Sequence, residues 1–68
     1  MRTAEIGERI RKARIKHGLT QSALADKLNI SQGAVGMWET GLNAPKTENL
    51  VKLSEILGIP IDELLKAG

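Results

Sequence analysis

Residues 20–41, TQSALADKLNISQGAVGMWETG, decide how this chain folds, because they predict two short helices joined by one tight turn. Thr20 can cap the first of these helices, since its side-chain oxygen can accept a free amide proton of the first turn. Residues 21–28 then place apolar side chains at three- and four-residue spacing, which predicts a helix with one buried face. Asn29 tolerates the left-handed conformation in which many helices end.

A second helix follows almost at once. Ser31 is its predicted N-cap, and we expect the helix to run to about Thr40, with Gly41 as its left-handed terminator. Val35 and Trp38 are spaced to face the interior, so Trp38 is predicted to be a core residue and not a platform for stacking on a base. A turn this short makes the two helices cross steeply, which is the arrangement of a helix-turn-helix.

The residues that define this pattern extend beyond the stretch in a fixed order. They are Thr20-Gln21, Leu24-Ala25, Ile30-Ser31, Val35, Trp38-Glu39 and Gly41, with Gly7, Ile10, Arg14, Gly18-Leu19, Pro45, Leu50, Leu53, Leu57-Gly58-Ile59 and Leu64-Leu65 around them. This series resembles the helix-turn-helix domains of the lambdoid phage repressor and Cro family. Each motif is weak alone, but the ordered series is specific and covers essentially the whole chain. The resemblance implies sequence-specific binding to double-stranded DNA.

The rest of the chain also predicts helices, and no segment has the alternating period of a strand. We expect a first helix from Thr3, as its N-cap, to about His17. Thr47 is expected to cap a fourth helix, and Pro60 to open a short fifth helix that ends near Lys66. The predicted fold class is therefore all-α, a compact five-helix repressor-like domain in which helices 2 and 3 form the helix-turn-helix.

The length and composition fit one small domain. The chain has 68 residues, enough for a single helix-turn-helix domain over residues 1–68 with a narrow margin of stability. It has no cysteine, which excludes disulfides and thiolate metal sites. Its apolar runs are too short to span a membrane and no signal-like segment opens the chain, which predicts a cytoplasmic protein with no membrane partner. The sequence indicates no cofactor and no small-molecule ligand.

Positive charge is concentrated at the start of the chain, although the formal net charge is only +2. Residues 1–17 contain six lysines and arginines against two glutamates, whereas residues 45–68 contain three lysines against four acidic residues. One end could therefore face a polyanion while the other does not. A solvated basic helix is the simpler explanation of this charge alone, but the neighbouring helix-turn-helix favours the polyanion.

The exposed side of the second helix of the motif is predicted to meet the bases. By the resemblance, the positions that contact bases are Gln32, Gly33, Gly36 and Met37. Gln32 is the best reader of a base edge, because its amide can both donate to and accept from adenine in the major groove. The alternative for Gln32 is an ordinary polar surface residue at a helix start, which the resemblance makes the weaker explanation.

Two interpretations stay open for the small and apolar residues on this face. A glycine costs a helix interior about 1 kcal/mol relative to alanine. Gly33 and Gly36 therefore either allow the backbone to approach the bases closely or are merely tolerated. Met37 could touch a thymine methyl group or be a flexible surface residue, and we slightly favour the contact. Relatives place longer polar side chains here, so the target of this chain cannot be taken from theirs.

Phosphate contacts are expected on both sides of that helix. Free amides and the helix dipole favour an anion at the start of the preceding helix, and basic or polar residues flank the motif. The predicted phosphate-contacting residues are Thr20, Gln21, Arg11, Arg14, Thr40, Asn43 and Lys46. Such contacts position a protein on DNA without reading its sequence.

Arg14 and Glu39 are also predicted to form a partly buried ion pair. Arg14 lies four residues after Ile10, on the inward side of its helix, where an arginine without a partner is unexpected. In the resembling family, an arginine and a glutamate at these two positions pair across the motif. The alternative is two solvated surface charges, and we favour the pair.

The fifth helix has more apolar residues than it can hide on one face. Ile59, Ile61 and Leu65 are therefore candidates for a contact between two copies of the chain. Alternatively all three cover the small core, and the sequence does not separate these explanations. Dimers of the resembling family commonly use this end of the domain. A second copy would bind weakly, because the interface of so small a domain is small.

An enzyme is not predicted. His17 is the single histidine and has no cysteine beside it, and the adjacent Asp62 and Glu63 lie on a terminal helix and not around a cleft. The main hypothesis is a transcriptional regulator, most simply a repressor, that acts as a dimer on a near-palindromic operator. The alternative is an antitoxin-type or protein-interaction module whose apolar C-terminal helix binds a partner protein.

Overall fold

The computed structural model describes residues 2–65 and contains, over that range, five α-helices and no strand. The helices are α1 (Arg2–Lys16), α2 (Gln21–Leu28), α3 (Gln32–Glu39), α4 (Thr47–Leu57) and α5 (Ile61–Leu65). The predicted all-α, five-helix fold is confirmed, with α2 and α3 as the two helices of the motif. None of these helices combines the length and the apolar composition that crossing a membrane requires.

The caps inside the motif are those that the sequence predicted. Thr20 Oγ1 accepts the amide proton of Ala23 at 3.0 Å, and Ser31 Oγ accepts that of Ala34 at 3.2 Å. Asn29 follows α2 with φ 60°, the left-handed conformation that an asparagine tolerates. Since only three residues separate α2 from α3, the two helices pack directly against each other.

Glycines in the left-handed conformation follow both α1 and α3, as predicted for Gly41, but both helices end one residue before the predicted end. Gly18 has φ 70° and Gly41 has φ 79°. His17 and Thr40 lie in the turns that lead into these glycines, and not in the helices themselves. Helix ends are the least sharply determined part of a periodic pattern, because the last turn can tighten without changing the buried face.

Two predicted N-caps are wrong. Thr3 lies inside α1, which already includes Arg2. Lys46, not Thr47, is the N-cap of α4, and its side chain makes no capping hydrogen bond. The buried Pro45 anchors the loop so that the chain enters the helix one residue early. The carbonyl of Lys46 then accepts the first amide protons of the helix.

The last helix begins at Ile61, one residue after the predicted start. Pro60 precedes the helix, and its carbonyl accepts the amide protons of Glu63 at 3.0 Å and Leu64 at 3.2 Å. The proline therefore provides the fixed entry to α5 without donating to it. The predicted end of this helix, at Lys66, lies outside the described residues.

Apolar faces of all five helices meet in one core. Val35 and Trp38 of α3 are 0% and 5% exposed, so the inward orientation that the spacing predicted is confirmed, and with it the core position of the tryptophan. The buried apolar residues are Ile6, Ile10, Ala13, Leu24, Ala25, Leu28, Val35, Trp38, Leu53, Leu57 and Leu64. The second helix of the motif is thus fixed on one side and leaves the other side for contact.

Gly7 sets how closely α1 can cross the end of α3. A Cβ atom at this position would overlap the carbonyl oxygen of Trp38 and lie 2.9 Å from its carbonyl carbon. These are backbone atoms, so no side-chain rotation can relieve the overlap. Gly41 lies in a second close contact, because a Cβ there would lie 3.0 Å from the Cα of Ala4. Helix α1 therefore contacts both the end of α3 and the turn that follows it through backbone atoms.

We predict that Gly7→Ala lowers the free energy of unfolding by about 3 kcal/mol, because the added methyl group forces α1 away from α3. Urea denaturation followed by the fluorescence of Trp38 measures the change. Gly33→Ala is the matched control. Its Cβ would meet nothing nearer than Ser31 Oγ at 3.9 Å, and it should stabilise the domain by up to about 1 kcal/mol. Equal stability of Gly7→Ala and the parent chain would contradict the close crossing.

Candidate nucleic-acid interface

The side of α3 that faces away from the core brings together the four residues predicted to meet bases. Gln32 and Gly33 are exposed at its start, Gly36 is half-buried, and Met37 is 39% exposed. Their spacing places them on one helical face, opposite the core-facing residues. We call these four residues the reading face. The structure thus provides an open surface where the sequence predicted one.

The reading face carries no charge, and the charged residues lie on other parts of the domain. Within α3 the charged residue is Glu39, and it is paired inside the domain. Arg11 and Lys46 are exposed on the neighbouring elements α1 and the loop before α4. A polyanion would therefore be attracted by the flanks and meet an uncharged surface between them.

Hydrogen bonds connect four polar side chains from three helices, and the last of the four, Gln32, belongs to the reading face. Glu39 Oε2 accepts from Arg14 Nε at 2.6 Å, and Glu39 Oε1 accepts from Arg14 Nη2 at 3.1 Å. Glu39 Oε1 also accepts from Gln21 Nε2 at 3.1 Å. The side-chain oxygen of Gln21, Oε1, accepts from Gln32 Nε2 at 3.5 Å, at the long end of the hydrogen-bond range. The base-reading candidate is thus the last member of a chain that begins in the interior.

The predicted pair of Arg14 and Glu39 is present and largely withdrawn from water. The side chain of Arg14 is 12% exposed and that of Glu39 is 3% exposed. Arg14 Nη1 also donates to the carbonyl of Leu19 at 2.8 Å, so both ends of the guanidinium are satisfied. The hydrogen bond to Glu39 raises the pKa of Arg14 above its ordinary value, against the opposing effect of burial, and keeps the group charged.

Arg14 was also predicted to contact phosphate, and the structure argues against that role. Its guanidinium is directed at Glu39 and Leu19, and the exposed fraction of its side chain is small. A buried arginine that leaves its carboxylate to reach a phosphate would strand that carboxylate without a partner. Arg11, one turn earlier and exposed, keeps the phosphate role as a prediction.

The other predicted phosphate-contacting residues lie at the two ends of the reading face. Thr20 is exposed and Gln21 half-buried at the start of α2. Thr40 is exposed after α3, and its hydroxyl donates to the carbonyl of Met37 at 3.2 Å. Asn43 and Lys46 are exposed in the loop that follows. The phosphate contacts of these residues stay predictions.

The apolar residues proposed for a dimer contact are only partly available. Ile59 and Leu65 are half-buried and pack against the core, and Ile61 is half-buried as well. Covering the core accounts for part of the Ile59 and Leu65 side chains, as the alternative explanation held. The part that remains exposed could still meet a second copy, so the dimer contact stays a prediction.

Sequence reasoning missed the structural roles of Gln21 and His17. The periodic pattern marks Gln21 only as a polar residue at a helix start, and no spacing rule predicts that it bridges Glu39 to Gln32. His17 Nε2 lies 2.8 Å from the carbonyl oxygen of Leu57, and this contact joins the ends of α1 and α4. Both contacts join residues far apart in the chain, which a local pattern cannot report.

The described part of the chain offers no metal centre. No group of three or more histidine, cysteine, aspartate or glutamate side chains within residues 2–65 is arranged to hold an ion. Asp62 and Glu63 are exposed on the short helix α5, where the sequence predicted a terminal helix.

Comparison with known proteins matches this geometry to one family. The helix-turn-helix family model HTH_3 matches residues 10–64. An uncharacterised HTH-type transcriptional regulator, YonR, of a Bacillus subtilis prophage is 43% identical over 60 residues, which is 88% of this chain and 56% of YonR. Repressor protein C2 of Salmonella phage P22 is 41% identical over 66 residues, 97% of this chain and 31% of the repressor. The chain thus spans about half of these relatives' length or less.

Solved structures agree. The P22 c2 repressor in complex with a synthetic operator superposes with a TM-score of 0.86 at 40% identity, covering 93% of this chain and 96% of that chain. The restriction-modification controller protein C.AhdI of Aeromonas hydrophila superposes with a TM-score of 0.82 at 32% identity, covering 91% of this chain and 94% of that chain.

A double-mutant cycle should show strong coupling between Arg14 and Glu39. We predict that Arg14→Met and Glu39→Met each lower the free energy of unfolding by about 3 kcal/mol, because each leaves a buried charge unpaired. The double variant should be more stable than either single variant. Urea denaturation gives all four values.

The exposed pair of Lys12 and Glu8 is the control for this cycle. It has a similar separation of 3.1 Å, but its side chains are 74% and 67% exposed. Its coupling should be at most about 0.5 kcal/mol. Equal coupling in the two cycles would mean that burial of Arg14 and Glu39 adds nothing.

Proposed function

This chain belongs to the helix-turn-helix family HTH_3, and from that premise we propose that it binds double-stranded DNA sequence-specifically as a transcriptional regulator, most simply a repressor. Its relatives carry names of HTH-type regulators and phage repressors, and one similar structure is of a repressor with an operator. The single observation that carries the proposal is the reading face: an open, uncharged side of α3 whose opposite side is buried.

In the proposed complex α3 lies in the major groove with its start toward the base edges. Gln32 reads an adenine, because one amide proton and the amide oxygen match N7 and N6 of that base. Its second amide proton is the one that points to Gln21, so reading and internal support do not compete. Gly33, Gly36 and Met37 complete the contact with the bases.

The proposed phosphate contacts hold this orientation without reading sequence. Thr20 and Gln21 offer the start of α2 to the backbone on one side of the groove, with Arg11 adding charge nearby. Thr40, Asn43 and Lys46 offer the loop after α3 to the other side. Clamping the recognition helix from both ends would fix its register on the duplex.

We place two copies of the chain on one operator. Ile59, Ile61 and Leu65 supply the exposed apolar atoms for a weak contact between the copies. Two-fold symmetry of the dimer would then require a near-palindromic operator with half-sites about one helical turn, roughly 34 Å, apart. The apolar surface shared by the two copies is small. Binding of both copies to the same operator would therefore stabilise the dimer more than the contact between the copies does.

Selection from random-sequence duplex DNA, followed by gel shifts and sequencing, tests the function and the dimer together. The expected result is an enriched site with two inverted half-sites. Enrichment of a single half-site would retain the DNA-binding function and remove the dimer. If no sequence is enriched, the chain is instead a pure protein-interaction module.

We predict that Lys46→Ala weakens binding to all DNA sequences alike and flattens the dependence of log K on log salt by about 0.9, the value for one phosphate contact. Filter binding at four salt concentrations measures the slope. Lys12→Ala is the matched control, because Lys12 lies on the side of α1 toward α5 and should leave the slope unchanged. An unchanged slope in Lys46→Ala would remove this residue from the interface.

We predict that Gln32→Ala relaxes the preference for adenine at one position of each half-site by a factor of about 10, which is near the middle of the range for a bidentate contact. Repeating the selection with the variant measures the preference position by position. Affinity for unrelated DNA should stay the same. If all positions lose their preference together, Gln32 supports the fold of the interface and does not read a base.

A further inference from the structure

We propose that the groove between α1 and α5 is a docking site for an acidic amphipathic segment of a partner protein. The groove has a volume of about 380 Å³ and is lined by residues of α1, of α5 and of the connection before α5, whereas the reading face belongs to α3. Carboxylates of the segment would meet basic side chains of α1, and its apolar side chains would cover the bottom of the groove. The inference goes beyond the proposed DNA-binding function, because it gives the domain a second surface.

The basic residues of α1 point in different directions, and three of them gather at this groove. Arg14 is directed at α3. Arg9, Lys12 and Lys16 follow one another at three- and four-residue spacing, which places them on one helical face. The residues that line the groove are Arg9, Lys12, Ala13, Lys16, Ile59 and Glu63. Half of the lining is therefore basic, on a side of α1 that the proposed DNA contacts do not use.

The domain itself does not neutralise this charge. The lining contains three basic residues and one acidic residue. Arg9 Nη1 donates to the carbonyl of Leu64 at 3.2 Å, which holds the guanidinium where the two helices meet. Lys12 is paired with Glu8, but this pair is exposed and contributes little. Lys16 forms no ion pair among residues 2–65. An acidic ligand would thus find positive charge that is available to it.

The bottom of the groove is apolar. Ala13 is 8% exposed and belongs to the core, and Ile59 packs against the core with part of its side chain exposed. A purely ionic ligand would leave these apolar atoms in water. A segment with carboxylates at its edges and an apolar side chain between them matches both features. This is how an amphipathic helix binds a groove.

The length of the charged row also favours a peptide over a small anion. Seven residues separate Arg9 from Lys16, which is a rise of about 10 Å along a helix. A single carboxylate or phosphate cannot reach both ends of such a row, whereas carboxylates on successive turns of a helical segment can.

A second copy of this chain is a poorer occupant of the groove. Two-fold symmetry would bring two basic rims close together, and like charges across an interface repel. Among the residues proposed for the contact between copies, Ile59 lines the groove, whereas Ile61 and Leu65 do not. The charge of the groove therefore favours a partner of opposite sign.

A display selection of random peptides, each long enough for three helical turns, against the full chain supplies the probe. Enriched peptides should carry carboxylates on both sides of a large apolar residue. The Kd of one enriched peptide is then measured by fluorescence anisotropy, and the affinity should fall as salt is added, because exposed charges are screened. During an NMR titration the amide signals of Ala13 and Ile59 should shift, and those of Gln32 and Gly33 should not.

Lysine variants test the role of charge. Lys12→Gln/Lys16→Gln should weaken the peptide about fourfold, the value of two exposed ion pairs. Lys27→Gln/Lys52→Gln is the matched control, because it removes the same net charge from exposed positions on α2 and α4 and should leave the affinity nearly unchanged. The same peptide with its carboxylates replaced by amides should bind the parent chain and the Lys12→Gln/Lys16→Gln variant alike.

An isoleucine variant tests the apolar bottom. Ile59→Ala should weaken the peptide about threefold, because the peptide can bury less apolar surface there. Ile30→Ala is the matched control, since Ile30 is also half-buried against the core but lies in the turn between α2 and α3. Thermal midpoints verify that both variants are folded, and a loss of affinity in Ile59→Ala alone assigns the effect to the groove.

The outcomes that would overturn the docking site are specific. They are a selection that enriches no peptide, enriched peptides without acidic residues, and equal losses of affinity in the two lysine double variants. Acidic peptides whose NMR shifts map to the reading face would imitate DNA and would also overturn it. Each of these results would leave the proposed DNA-binding function in place, because selection from duplex DNA tests that function separately.

Discussion

Arg14 forms hydrogen bonds to both carboxylate oxygens of Glu39 and to the carbonyl of Leu19, and through these bonds one buried guanidinium joins α1, α3 and the connection before α2. Such a pair contributes little net stability compared with apolar packing, because both ions lose their hydration. Its contribution is to geometry. The ion pair fixes the position of the end of α3 relative to α1. The hydrogen bond from Gln21 to Glu39 extends this constraint to α2.

Two further hydrogen bonds link the buried ion pair to the surface of the domain. Gln21 uses its amide nitrogen on Glu39 and its amide oxygen on Gln32, so the orientation of one side-chain amide depends on a buried charge. Preorganised groups lose less entropy on binding than freely rotating ones. A domain whose helices of the motif have only eight residues each can thereby present a defined donor and acceptor at its surface.

Glycine has three different physical roles in this domain. Gly7 is required by a close backbone contact, and Gly41 by both a positive φ and the proximity of Ala4. Gly33 and Gly36 meet neither requirement and lie on the side of α3 away from the core. Residue type alone cannot separate these roles. The separation needs the distance from each absent Cβ to its neighbours, and that distance exists only in the folded molecule.

The sequence by itself determined the five helices, their glycine and asparagine terminators, the inward side of α3 and the pairing of Arg14 with Glu39. Apolar periodicity, residues that tolerate the left-handed conformation and a charge on an apolar face are local signals. The partner of Arg14 was given by the resemblance. Only the tertiary structure decided that Arg14 is held between Glu39 and Leu19, that Lys46 is the N-cap of α4, and that Gln21 connects Glu39 to Gln32. These features arise where separate helices meet, and a contact between distant segments leaves no period in the chain.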